Sequence, residues 1–173
     1  MALIDDATGV VESIASHVEF TKEYEQVGLE NPVWVNLSEV LEKLTANYEF
    51  KRIHINSSIN RNLYVFSDGM IDKVLYNIFE NSLRHGGDVT EIGISFERCE
   101  NEGILTIRDN GLGVLPDIKF RIFEEGYGDN TGFGLFIIKS ILEITGIKIR
   151  ETGVYGEGAS FEILIPSENY YFK

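Results

Sequence analysis

The chain has 173 residues, which suits one domain with an appendage rather than two full domains. Its net charge of −13 argues against a nucleic acid or an anionic membrane as partner, since both demand a basic surface. Apolar content of 43%, with 12% aromatic residues, supports a sizeable core and excludes a disordered bulk. The single Cys99 rules out an intrachain disulfide and a thiolate zinc site, and fits a reducing compartment. The histidines are scattered without metal-ligand spacing. No apolar run reaches about 18 residues, so no membrane span is expected. The start, Met-Ala-Leu-Ile-Asp-Asp, lacks the basic flank and apolar run of a signal peptide.

In chain order, residues 4–26 read as a helix with a partial apolar stripe of Ile4, Val11, Ile14, Val18 and Phe20 among acidic residues. A helix without a core of its own pairs with another. Gly28-Leu29-Glu30-Asn31-Pro32 breaks it and is the clearest linker. Val33–Asn36 reads as a short strand, and Ser38 as the cap of a helix to about Tyr48 with Val40, Leu41 and Leu44 apolar. Ile53–Ile59 and Leu63–Phe66 follow as strands, and Ser67-Asp68 opens a central helix ended by Gly86-Gly87. Glu91–Glu97 and Gly103–Arg108 alternate apolar and polar residues around an Asn-Glu-Gly turn, which predicts a hairpin. Residues 114–131 are irregular, Phe133–Thr145 form a nearly all-apolar buried helix, and Ile147–Glu151 and Ser160–Ile165 close as strands. Helices packed on one face of a mixed sheet is the layering this order predicts.

The chemistry gathers on the central helix. Val74, Leu75, Ile78 and Phe79 make its apolar face, while Asn77 and Asn81, four apart, stack on a neighbouring face that Arg84 and His85 continue. Three glycine motifs follow: Asp109-Asn110-Gly111-Leu112-Gly113 after a strand, Gly132-Phe133-Gly134-Leu135 opening a helix, and Gly156-Glu157-Gly158 before the last strand. The middle one is not a P-loop, for no Lys-Ser/Thr follows, nor a dinucleotide fingerprint, for the third glycine is missing.

In this order and at these distances, the asparagine helix and the glycine motifs resemble the ATP-binding domain of sensor histidine kinases. That family belongs to the GHKL group, with type II topoisomerases, mismatch-repair ATPases and heat-shock chaperones. The resemblance spans about Val33 to Pro166. It implies an α+β fold, a two-layer α/β sandwich of a mixed sheet with helices on one face, preceded by the N-terminal helix. It divides the chain into residues 1–30, the remnant of a dimerisation hairpin with its linker, and residues 31–173, the catalytic domain.

The resemblance also implies ATP and Mg2+ as ligands. Asn81 becomes the magnesium ligand, with Asn77 beside it directly or through water. Where topoisomerase-type relatives carry a glutamate that activates water, this chain has Asn77, a poor base, so phosphoryl transfer to a protein is favoured over hydrolysis. Arg84 stands where the family has a lysine, and His85 where an aromatic or histidine meets adenine or ribose. Glu80 is read as a solvated helix residue. Asp109 would accept from the exocyclic amine of adenine, and Gly111 and Gly113 would let backbone pass close to the base. Thr131, Gly132, Phe133, Gly134 and Leu135 would face the phosphates, with the free amides of a helix N-terminus. Gly156, Gly158 and Phe161 are assigned to a structural turn near the base. Phe120–Tyr127 resembles the phenylalanine motif of a lid, in which Lys119 and Arg121 are candidate phosphate contacts.

The expected activity is transfer of the ATP γ-phosphate to a histidine on a helical hairpin, with a response regulator downstream. His17 lacks the acceptor motif's following residues and reads as an ordinary surface histidine, so the chain alone is expected not to autophosphorylate. Half a hairpin would dimerise weakly or not at all. The place is expected to be cytoplasmic, in a parent protein either anchored to a membrane or not. The rivals are a GHKL serine kinase or slow ATPase, and a nucleotide-sensing module that only binds partners.

Overall fold

The computed structural model describes residues 11, 14, 15, 18, 20–128 and 133–173. Its first strand, β1 (Val33–Asn36), runs straight into helix α1 (Leu37–Thr45). The cap is Asn36 rather than Ser38, since the Glu39 amide donates to the Asn36 carboxamide oxygen at 3.1 Å. That helix ends at Thr45, and a separate 3-10 turn, Tyr48–Phe50, inserts the buried Phe50 against Phe79. The Tyr76 hydroxyl donates to Glu49 in the same turn at 3.0 Å. Burial, and then that bond, push the Tyr76 pKa up to about 12.

Strands β2 (His54–Ser57) and β3 (Leu63–Ser67) precede the central helix α2 (Ile71–His85). Asp68 folds back on the start of this helix, its Oδ1 accepting the Met70 amide at 2.9 Å. Val74, Leu75, Ile78 and Phe79 are fully buried, as the helical period predicts. The hairpin is β4 (Glu91–Arg98) and β5 (Glu102–Asp109), then comes helix α3 (Gly134–Glu143), and strands β6 (Lys148–Glu151), β7 (Ser160–Pro166) and β8 (Tyr170–Phe172) complete the chain.

The strands form two sheets. The larger has the order β2-β4-β5-β7-β6, with β2 parallel to β4 and every other pair antiparallel. It is the mixed sheet the sequence predicts. Ile92, Ile94, Leu105, Ile107, Phe161, Ile163 and Ile165 bury one face against α2 and α3, and the alternate residues, such as Glu91, Ser95 and Arg108, stay on the other. The smaller sheet, β1-β3-β8, is not predicted as a separate sheet, and β8 is not predicted at all. Its inner Leu63 and Val65 join the common core, while Trp34, Phe66, Tyr64 and Tyr171 stack along its outer side.

The N-terminal helix is described continuously over residues 20–26. Phe20 stacks on Phe133 with ring centroids 3.7 Å apart, Tyr24 lies 5.7 Å from Phe136, and Glu23 pairs with Lys73. The turn after it is held by the Gly28 amide, which donates to Asp68 Oδ2 at 3.2 Å. Val11, Ile14 and Val18 of the predicted stripe are 65%, 58% and 64% exposed, so among the described residues this part of the face stays largely uncovered. Ile4 and His17 lie outside the described residues.

Candidate nucleotide site

One concavity gathers the predicted motifs. It holds about 530 Å3, within the range of small-molecule sites, and opens between the last turns of α2, the loop after β5 and the start of α3. Helix α2 contributes Asn81, Ser82, Arg84 and His85 to its wall, and the chain after β5 contributes Asp109 and Gly113. The start of α3 adds Gly134 and Leu135.

Asp109 is the most constrained group in it. The residue is 4% exposed, and three donors reach its carboxylate, which leaves one acceptor position on Oδ2. Oδ1 accepts the amides of Gly111 at 2.9 Å and Ala159 at 3.0 Å, and Oδ2 accepts the Ser82 hydroxyl at 2.7 Å. The next residue does structural work: Asn110 Oδ1 accepts the amides of Thr90 and Glu91, and its amide donates to Thr90 Oγ1 at 2.8 Å. So the turn that carries Asp109 is tied to α2 by Ser82, to β4 by Asn110 and to the start of β7 by Ala159.

The glycines serve this packing more directly than the sequence suggests. Gly111 does not line the cavity; a Cβ there would sit 2.4 Å from the Gly86 carbonyl oxygen. Gly113, at φ +70°, is crossed by the carbonyls of Val154 and Gly158, and Gly158, at φ +123°, lies against the Asp109 carbonyl. These three glycines let loops close on one another beneath the cavity. Gly134 differs, for a Cβ there would meet nothing within 4 Å among the described residues, and Gly134 lines the cavity at the start of α3.

Other expected site residues fall unevenly. Asn81, Arg84, His85 and Leu135 line the cavity; Asn77, one turn before Asn81, and Phe133, stacked on Phe20, do not. Thr131 and Gly132 lie outside the described residues. Glu80 is not simply solvated: it lines the cavity and pairs with Arg84 at 3.0 Å. Lys119 is committed elsewhere. Its ammonium pairs with Glu151 Oε2 at 2.6 Å and donates to the Gly153 carbonyl, with the Glu151 side chain wholly buried. Arg121 lies over the Tyr127 ring, 4.6 Å from its centroid, and 4.0 Å from Glu124. Within the predicted lid, Phe120 is exposed, while Ile122 and Phe123 are buried and Phe123 meets Phe161 edge-on. Ser82 is the residue the sequence reading missed. Its signal was a small polar side chain on the buried face of α2, where the helical period calls for an apolar one.

Comparison with known proteins agrees with this geometry. Residues 68–169 match the family model described as histidine kinase-, DNA gyrase B-, and HSP90-like ATPase. The sensor protein SrrB of Staphylococcus aureus (strain MRSA252) is 28% identical over 144 residues, covering 75% of this chain and 25% of SrrB. The chain thus spans about a quarter of the length of the curated relatives it matches. Among solved structures, full-length ShkA in complex with AMPPNP superposes with a TM-score of 0.73 at 20% identity, over 94% of this chain and 37% of that one. The Acinetobacter baumannii histidine kinase AdeS gives 0.73 at 21% identity, over 98% of this chain and 86% of that one. The chain belongs to the histidine kinase-, DNA gyrase B- and HSP90-like ATPase family, and carries an ATP-binding catalytic domain of the kind found in sensor histidine kinases.

Proposed function

We propose that this chain binds Mg-ATP in the Asp109 cavity and presents the γ-phosphate to a histidine on a helical hairpin that another segment or another chain supplies. The observation that carries the reading is the buried Asp109 carboxylate, held in place by three donors and lining a cavity that the N-terminus of α3 also lines. A fixed acceptor suits the adenine amine, and the N-terminal amides of α3 suit phosphate. Asn81, Arg84 and His85 line the same cavity.

The residues fit Mg2+ only in the company of phosphates. Among the described residues no cluster of three His, Cys, Asp or Glu could hold a metal alone, while Asn81 offers a carboxamide oxygen at the cavity wall. Asn81, with Asn77 a turn away, would hold the ion, which supplies charge neutralisation of the phosphates. Arg84 adds a cation at the same wall, shared with Glu80. Catalysis on this reading rests on positioning rather than on a protein nucleophile.

On the same reading, residues 31–173 are the catalytic domain, and residues 1–30 belong to the dimerisation hairpin, through which the chain would pair weakly with a second copy. A response regulator would take the phosphoryl group onward, in the cytoplasm. No helix among the described residues is long and apolar enough to cross a membrane. The test is calorimetric titration with ATP and GTP, with and without Mg2+, beside Asp109→Asn. Selective, magnesium-aided ATP binding that the variant loses is the expected result; no binding by the unaltered chain refutes the reading. A complete hairpin added in trans should then acquire acid-labile phosphohistidine.

A further inference from the structure

The carboxylate of Asp109 explains an acceptor in the cavity, but not what becomes of the donors packed around it. Gly111 N–H, Ala159 N–H and Ser82 O–H all surround that carboxylate, and all are spent on it. The two amides are fixed by the backbone. The Ser82 hydroxyl is not: it has one hydrogen and two oxygens within reach, Asp109 Oδ2 at 2.7 Å and the Ile78 carbonyl at 3.3 Å. The shorter, charge-assisted bond takes the hydrogen. Ser82 is 4% exposed, lines the cavity, and then turns only lone pairs toward it.

We propose that Ser82 is a specificity-determining residue: by giving its only hydroxyl hydrogen to Asp109, it leaves two acceptors at this point of the wall, its own oxygen and Asp109 Oδ2, which admit 6-amino purines and reject 6-oxo purines. The inference rests on the ATP reading given above and adds to it a second residue. A 6-amino group offers two hydrogens to this wall. A 6-oxo group brings an acceptor against acceptors and leaves buried polar groups unpaired, which is the costlier mismatch. In Ser82→Ala the hydroxyl's place can be filled by a water, which is free to turn and donate to a 6-oxo group. Discrimination then falls, although Asp109 keeps both amide bonds.

The experiment measures the affinities of the whole chain for ATP and inosine triphosphate, whose bases differ in the 6-substituent and in the proton on the neighbouring N1. Unaltered protein, Ser82→Ala and Ser82→Thr are compared, each checked by thermal melting. The unaltered chain should prefer ATP; Ser82→Ala should shrink the ATP-to-inosine ratio by about fivefold or more, the worth of one hydrogen bond. Ser82→Thr, which keeps the hydroxyl, should restore it. A purely structural serine would weaken both nucleotides alike, so an unchanged ratio in Ser82→Ala overturns the proposal. A threonine variant with the alanine ratio overturns it too. If Ser82→Ala does not fold, Ser82→Cys, of near-equal volume and a weak donor, is read by the same ratio. Binding of neither nucleotide by the unaltered chain would sink the ATP reading and this inference together. ATP binding lost in Asp109→Asn, with the Ser82→Ala ratio unchanged, would sink this inference alone.

Discussion

Gly158 and Gly134 are both glycines of the nucleotide motifs, yet they answer to different constraints. A Cβ on Gly158 would lie 2.0 Å from the Asp109 carbonyl oxygen, at a φ of +123° that side chains rarely adopt. Gly158→Ala should therefore cost roughly 2 to 3 kcal/mol and lower the melting temperature on the order of 6 °C. Gly134 begins α3 with open space around it. Gly134→Ala should raise stability by roughly 0.5 kcal/mol, since alanine restricts the unfolded chain. It should also weaken ATP binding by about tenfold, because the added methyl occupies the approach to the helix amides. Thermal melts with and without ATP check both. A Gly134→Ala variant that melts later and binds ATP unchanged would show that phosphate does not come close there. The sequence shows both positions as glycine; only the neighbours separate a glycine that loops need from one that a ligand needs. The sequence motif already pointed to Asp109, and the fold places that residue in the cavity wall. Ser82 was not legible, because its meaning depends on a partner 27 positions away.

At the scale of the element, the N-terminal helix was legible as a helix and misleading as a surface. Its stripe of Val11, Ile14 and Val18 follows the helical period, but these residues are exposed, whereas Phe20 stacks on Phe133. Periodicity reports which face is apolar and not how much of it finds cover. Among the described residues the docking is local and includes the aromatic contacts of Phe20 on Phe133 and Tyr24 near Phe136 and the ion pair of Glu23 with Lys73. Phe133 follows directly on the second glycine motif's first residue, so this helix rests on the chain that leads into α3. Phe20→Ala removes the stacked ring and about 1 kcal/mol or more of contact. Residues 20–26 should then exchange their amide hydrogens at least several times faster. The melting temperature of the catalytic domain should move by no more than about 2 °C, because Phe20 is only partly buried at the rim of its core. A collapse of the whole melt would mean the helix is part of the domain rather than docked on it.

For the whole molecule, strand alternation and helix period carried the large sheet and its helices, because those signals are local. The division into two sheets was not readable, since it depends on Leu63 pairing with Phe172, more than a hundred positions on. The same holds for an ion pair that joins separate parts of the chain. Lys119 reads as a candidate phosphate contact in a loop, and only the fold brings it to Glu151 at 2.6 Å. Glu151 Oε1 accepts the amides of Gly153 at 2.8 Å and Ser160 at 3.0 Å, so one carboxylate fixes the loop ahead of β7, and Lys119 fixes the segment before the lid to it. That loop also delivers the Ala159 amide to Asp109. Replacing Lys119 with Met keeps the stem and removes the charge, leaving a buried carboxylate without its partner. Loss of one member of a buried pair costs about 3 kcal/mol or more, which in a chain of this size is a fall on the order of 8 °C in one cooperative melt. Because Asp109 keeps its Ser82 and Gly111 donors, ATP should still bind, and saturating ATP should recover part of the lost stability by mass action. If Lys119 instead met phosphate, the variant would melt near the unaltered temperature and lose the shift that ATP confers.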